Sequence, residues 1–174
     1  VTGVDAAAGL IRAATERVAR HKGGARPRFV VGDARDLDGV LAPDARFGAA
    51  LCVMAVMNID NIDAVFRGVA SHLDAGAPFV VVLLHPAFRA PGRSSWRWDD
   101  AIAGRGKQSR VVESYLTPYV SQIVMNPGEV SRGGRAVTTQ THHRPLSAYV
   151  GSLVGAGFAI TALELSLIHI SEPT

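Results

Sequence analysis

Two aspartates, Asp5 and Asp33, each close a short apolar run, and a helix-length segment separates the two runs. The first run is Val1-Thr-Gly-Val-Asp5. The second is Arg28-Phe-Val-Val-Gly-Asp33, followed by Ala34-Arg-Asp36. The sequence AAAGLIRAATERVARH between them predicts a helix, with Leu10, Ile11, Ala14 and Val18 on a packed face. Strand, acid, helix, strand, acid is half of a nucleotide-binding α/β unit. In open α/β sheets, ligands bind just beyond the carboxyl ends of the strands. One carboxylate placed there accepts both hydroxyls of a ribose, and a second accepts from an adenine amino group. The pair therefore points to an adenosine-containing cofactor. The segment that would hold the cofactor's tail is expected before Val1.

The same alternation continues. His21-Lys-Gly-Gly24 is expected to stop the first helix. Phe47 to Ala55 is nearly continuous apolar sequence, as a strand buried on both faces requires. Asn61 to Leu73 predicts an amphipathic helix with Ile62, Val65, Phe66, Val69 and Leu73 inward, Asp60 as N-cap and Gly76 as stop. Pro78 to Leu84 predicts another fully buried strand. From Ala87 to about Gly134 the period is lost, apart from a short strand or helix within Ser114 to Val124. Thr138 to Thr141 predicts a strand, Pro145 to Ala156 a helix stopped by Gly157, and Phe158 to Thr161 a further strand. Strands alternating with helices imply a mostly parallel sheet with helices on both faces.

Composition narrows the class. In 174 residues there is one cysteine, Cys52, which excludes an internal disulfide and predicts a cytoplasmic protein. No apolar run approaches the ~18 residues of a membrane helix, so no membrane span is expected. The net charge of +3 comes almost entirely from scattered arginines, denser from Arg89 to Arg110 beside Asp99 and Asp100. That pattern favours a solvated surface, and no nucleic-acid partner is expected.

Five segments together resemble a class I S-adenosylmethionine-dependent methyltransferase of the small-molecule type. VTGVDAAAGLIRAA is similar to the second strand of that family, its ribose acid and the following helix. FVVGDARDL is similar to the third strand and its adenine-contacting acid. FGAALCVMAVMNIDNIDAVFRGVASHLDAGAPFVVVLLHP is similar to the fourth strand, the next helix and the fifth strand. SSWRWDD falls in the insertion, and THHRPLSAYVGSLVGAGF is similar to the late helix with its alanine-glycine-phenylalanine turn. The chain departs from the pattern at Gly48, where many relatives carry an acid, and at Ala7 and Leu10, where serine and methionine are usual.

The resemblance implies a Rossmann-like methyltransferase fold over residues 1–164, with the first and final strands missing and an irregular acceptor-side insertion at about 87–134. It implies S-adenosyl-L-methionine as cofactor and in-line methyl transfer to a small-molecule acceptor. Asp5, Ala6, Gly32, Asp33 and Ala34 are the expected cofactor residues, Gly32 letting backbone approach the base. Asp5 also reads as a helix N-cap. Cys52 and Val53 read equally as cofactor wall and as core packing. His85 and His143 are the candidate catalytic residues. His85 reads also as a structural histidine bonded to backbone. Adjacent His142 and His143 point opposite ways in an extended segment and make a poor metal pair. Arg144 is expected to anchor backbone or an acid. Trp96 and Trp98 share a face as a lid or as core cover. Asp36 and Asp38 are expected to be solvated.

Two other functions fit the opening acids. One is an NAD(P)-dependent oxidoreductase, although there is no Tyr-x-x-x-Lys pair and the only lysines are Lys22 and Lys107. The other is a non-catalytic adenosine-binding domain. The last ten residues, Leu165 to Thr174, match the reading frame of a transposon end used to prepare DNA libraries. They are expected to be a non-native tail in which His169 and Glu172 carry no function. A chain opening inside a strand and lacking the first strand is expected to be unstable and inactive alone. The sequence leaves the oligomeric state open.

Overall fold

The computed structural model describes residues 1–20, 27–88, 90, 92–99 and 107–165. The expected helix stop at His21 to Gly24, part of the arginine-rich stretch and nearly all of the expected tail lie outside them. The chain divides into two compact units. One comprises Val1–Leu51, Asn61–Val80 and Gly155–Phe158, and the other Cys52–Asp60, Val81–Val154 and Ala159–Thr174.

In the first unit, β1 (Thr2–Asp5) leads to α1 (Ala8–Ala19) and on to β2 (Arg28–Val31). The two strands pair in parallel, with Thr2 opposite Arg28 and Asp5 opposite Val31. Parallel neighbours need a crossover, and α1 supplies it. Its expected inner face is half realised: Ile11, Ala14 and Val18 are half-buried, whereas Leu10 is 61% exposed. A single turn, α2 (Leu37–Val40), follows β2. Asp36 caps it by accepting the Gly39 N–H at 3.2 Å, so this acid is structural rather than merely solvated. Asp38 stays largely exposed but accepts from the Ser71 hydroxyl (3.1 Å) and lies 3.1 Å from His72 Nε2.

α3 (Ile62–His72) forms as its period predicts, with Ile62, Val65 and Phe66 buried. The N-cap is Asn61, whose Oδ1 accepts the Ala64 N–H at 3.1 Å, and not Asp60. Leu37 of α2 lies against Gly68, where an added Cβ would come within 3.3 Å of the leucine side chain. Phe66, fully buried, meets the Phe79 ring edge-on at 5.9 Å, and Phe79 meets Phe158 at 5.2 Å. These aromatics are the core of this unit. Burying one such ring stabilises by about 1.5–3 kcal/mol.

β3 (Ala50–Val53) pairs with β4 (Phe79–Val82). Both were expected to be buried on two faces. Instead burial alternates along each, leaving Leu51 68%, Val53 52% and Val80 51% exposed. One face of each strand is thus uncovered among the described residues. The expected mostly parallel sheet is correspondingly limited. The described strands form four two-stranded sheets, two of them antiparallel.

The second unit holds both antiparallel pairs. β5 (Ser94–Asp99) pairs with β6 (Lys107–Val112), and β7 (Tyr119–Val124) with β8 (Thr138–His143). The 87–134 segment, expected to be irregular, therefore carries three six-residue strands and one turn of helix, α4 (Pro127–Val130). Trp96 pairs with Arg110, whose guanidinium lies 5.1 Å from the Trp96 ring centroid. Trp96 and Trp98 are 39% and 60% exposed, so neither covers a core. α5 (Leu146–Gly155) is the last helix among the described residues and stops before Gly157, whose φ of +93° suits glycine. The strand expected at Phe158 to Thr161 finds no ladder partner among the described residues. Val56, Ala90 and Tyr149 are the most deeply buried apolar residues of this unit. No helix among the described residues is long and apolar enough to cross a membrane.

Candidate functional site

Parallel pairing decides where the two opening acids go. Asp5 is the last residue of β1, opposite Val31, the last of β2. The Gly32 N–H then donates to the Asp5 carbonyl at 3.0 Å. Asp33 follows directly, so both carboxylates stand at the same carboxyl edge of one sheet.

Each is held from its own turn. Asp5 Oδ1 accepts the Ala7 N–H at 2.7 Å. The N-cap of α1 is Ala7, so Asp5 acts two residues before the cap and remains exposed. Ala6 sits between them. Asp33 accepts the Arg35 backbone N–H at 2.9 Å and also the Arg35 guanidinium, whose nearest nitrogen is 2.6 Å away. These bonds hold the Asp33 carboxyl below the usual carboxylate value, against a smaller opposing effect of burial. A carboxylate has roughly four lone-pair sites, so the Arg35 fork leaves room for a further donor. Arg35 was missed in the sequence, where its place two residues after the acid was the available signal. Gly32 is also required by packing. An added Cβ would lie 2.5 Å from both Cγ atoms of Val40, so what closes on this glycine is the α2 side chain. Ala34 is half-buried in the same turn.

Cys52, Val53, His85 and His143 belong to the second unit. Burial pushes the Cys52 thiol above its ordinary value, outweighing the backbone N–H groups of Val56 and Ala55. Burial thus favours the protonated thiol over the nucleophilic thiolate. Val53 is half exposed.

A cavity of about 300 Å³ lies within the second unit. Its apolar wall is Met54, Met57, Met125, Leu84, Pro86 and Ile123. The chain has three methionines, and all three are here. Met54 holds a φ of +54°, a strained value for a residue with a side chain, while its N–H donates to the Val82 carbonyl at 2.8 Å. The polar wall comes mainly from β8 and the turn beyond it: Thr139, Thr141, His142, His143 and Arg144. Asn58 and Tyr149 complete it. The Thr141 hydroxyl is 3.2 Å from Asn58 Oδ1, tying β8 to the 3-10 turn Val56–Asn58.

The two candidate histidines separate here. His143 lines the cavity and His85 does not, although its neighbours Leu84 and Pro86 do. His85 Nδ1 accepts the Ala87 N–H at 3.1 Å, and its ring packs on Phe88. A neutral His85 thus carries its proton on Nε2 and offers a donor rather than a base. His143 is 5% exposed, stacked on Tyr119 at 4.7 Å, and its Nε2 donates to the Tyr115 carbonyl at 2.9 Å. That leaves Nδ1 as the acceptor of the neutral ring. His142 is driven toward its neutral form, first by burial and then by the charge of Arg144, with Asp60 opposing. Arg144 does anchor backbone, as expected. Its Nη2 donates to the carbonyls of Ile59 (2.7 Å) and Asp60. Its Nη1 is buried. Burial raises the Tyr149 phenol above its ordinary value, and a side-chain hydrogen bond from Arg144, with the guanidinium charge, opposes that rise.

Residues 1–76 match the family model of a methyltransferase domain, a span that includes Asp5 and Asp33. No curated protein sequence matches the chain. Among solved structures, it is similar to an S-adenosylmethionine-dependent methyltransferase from Mesorhizobium loti (22% identity, TM-score 0.68), covering 94% of this chain and 66% of that one. A Listeria monocytogenes protein assigned to the same class aligns at 20% identity and TM-score 0.67, over 93% of this chain and 67% of its own. A third S-adenosylmethionine-dependent methyltransferase, from Clostridium acetobutylicum, aligns at 13% identity and TM-score 0.52, over 89% and 62%. The chain spans about two thirds of the length of these structures. Residues 1–76 thus match a methyltransferase-domain model, and the chain shares its fold with solved S-adenosylmethionine-dependent methyltransferase structures.

Proposed function

We propose that this chain performs, or forms part of a protein that performs, S-adenosylmethionine-dependent methyl transfer to a small-molecule acceptor. The observation that carries the reading is the shared carboxyl edge of β1 and β2, where Asp5 and Asp33 stand as two exposed or half-exposed acceptors. Their donor set suits an adenosine. Asp5 would take the ribose hydroxyls, and Asp33 the adenine amino group, with Ala6, Gly32 and Ala34 as the adjoining backbone. The bonds from Arg35 favour the ionised Asp33, which is the stronger acceptor.

When bound, the cofactor supplies a sulfonium whose methyl group is already electrophilic. The protein's own tasks are then binding, alignment, exclusion of water and removal of an acceptor proton. Nothing in this set needs a nucleophile, which agrees with a Cys52 thiol kept protonated. Cys52 and Val53 serve as wall. In the second unit, the methionine-lined cavity is the place for the acceptor. His143 Nδ1 and the neutral His142 are the groups there able to take a proton, and His85 has a positioning role through its local backbone bond.

Calorimetric titration with S-adenosylhomocysteine tests the reading. Binding is expected, weakened about tenfold or more by Asp33→Ala and by Asp5→Ala, since each removes an acceptor from a polar ligand. Absence of binding, or binding of NADH in its place, would sink it.

A further inference from the structure

We infer that Arg35 is a positioning residue for the base-binding acid: its grip fixes the Asp33 carboxylate so that it accepts one further N–H and tells adenine from a base with an oxygen at the same position. The inference rests on the function proposed above and concerns the base end of that site.

The two acids are occupied unequally. Asp5 Oδ1 accepts the Ala7 N–H, and no other hydrogen bond reaches that carboxylate among the described residues. Asp33 is held repeatedly by a single residue. Its Oδ1 accepts the Arg35 backbone N–H at 2.9 Å. Arg35 Nε lies 3.0 Å from Oδ1 and 2.9 Å from Oδ2, and Nη2 lies 2.6 Å from Oδ2. A carboxylate has roughly four lone-pair sites. The backbone N–H, Nε–H and Nη2–H use three of them, which leaves about one. An open carboxylate such as Asp5 suits a diol, which brings two donors. A carboxylate with one remaining site suits one N–H of an exocyclic amino group.

The grip also fixes direction. Turning the Asp33 side chain would break charge-assisted bonds, and the backbone and side-chain donors of Arg35 hold it from the same turn. That turn is itself braced, because Asp36 caps α2 and Val40 of α2 closes on Gly32. The Arg35 and Asp33 side chains are 45% and 43% exposed, and ion pairs this exposed contribute little to folding. The value of the pair is geometric. The same bonds hold the Asp33 carboxyl below its usual range, so the acceptor is ionised at neutral pH.

A fixed carboxylate discriminates in two ways. It needs no ordering when an amino group arrives, whereas ordering a free side chain on binding weakens affinity. It also resists turning away from a carbonyl oxygen, so an oxo base meets it acceptor against acceptor. Without Arg35 the first gain shrinks and the second clash relaxes. The preference narrows from both sides.

Calorimetry on the full chain compares S-adenosylhomocysteine with S-inosylhomocysteine, which carries oxygen in place of the amino group. The wild type is expected to prefer the adenosine ligand by about tenfold or more, as for a hydrogen bond to a charged group. Arg35→Gln should cut that preference by about twofold to tenfold, the effect of ordering one side chain. Arg35→Lys keeps the charge but not the planar fork, and should stay close to Arg35→Gln. A purely structural loss would weaken both ligands alike and leave their ratio unmoved. Equal binding of both ligands by the wild type, or an unchanged or wider preference in Arg35→Gln, would overturn the inference and leave cofactor binding standing. Full recovery in Arg35→Lys would overturn it too, since charge and not the fork would then carry the effect. A wild type that binds neither ligand would remove the methyltransferase reading and this inference with it.

Discussion

Replacing Gly32 with alanine tests whether the turn that carries Asp33 is set by packing. A Cβ at residue 32 would lie 2.5 Å from each Cγ of Val40 and 3.1 Å from its Cβ. Carbon atoms prefer separations of about 3.5–4.0 Å, so α2 or the turn must move by about 1 Å. α2 is one turn long and pinned by the Asp36 cap, which leaves little give. Overpacking of this kind costs about 1–3 kcal/mol. Gly→Ala also stiffens the unfolded chain, returning about 0.4–1 kcal/mol. The net expectation is a loss of about 1–2 kcal/mol. Val40→Ala alone removes two methyl groups from a half-buried position, a loss of about 1 kcal/mol at ~0.8 kcal/mol per fully buried carbon. In the double variant both 2.5 Å contacts disappear. Its stability should exceed the additive value by about 1–2 kcal/mol, a coupling typical of touching residues. The assay is urea unfolding followed by far-ultraviolet circular dichroism. Tryptophan fluorescence would report on the wrong unit, since Trp96 and Trp98 both lie on β5. Strict additivity, or a Gly32→Ala protein as stable as the parent, would refute the packing argument.

Two further outcomes are expected. Arg35 bonds hold the Asp33 carboxyl below its ordinary value of 3.8. A carboxyl depressed in the folded state contributes stability above the unfolded value and loses it as pH falls through the folded one. Carbon-detected titration should therefore place the Asp33 midpoint below that of a free aspartate, and Arg35→Gln should raise it toward the ordinary range. Asn61→Ala removes the Oδ1 cap on the Ala64 N–H and should lower stability by about 0.5–2 kcal/mol, with Asn61→Asp restoring most of it in the same urea assay.

The opening acids were legible because everything they depend on is local. A four-residue strand, a helix of crossover length and a second strand fix a parallel pair, and parallel pairing fixes which end both acids share. The N-cap of α3 was misplaced by one residue because Asp60 and Asn61 have equivalent cap chemistry and only the backbone path chooses between them. Continuous apolar runs at β3 and β4 suggested burial on both faces, but exposure depends on what covers a face, and periodicity within the run carries no such information. The exposure of Leu51 and Val80 could not be read from their own segments. β7 lies in the Ser114 to Val124 segment that read as a short strand or helix. β5 and β6 were unreadable for a different reason: their residues are largely polar, aromatic or basic, and cross-strand pairs such as Trp96 with Arg110 join positions far apart in sequence. The cavity lies beyond any local pattern, since Met54, Met125 and Arg144 are brought together by tertiary structure alone.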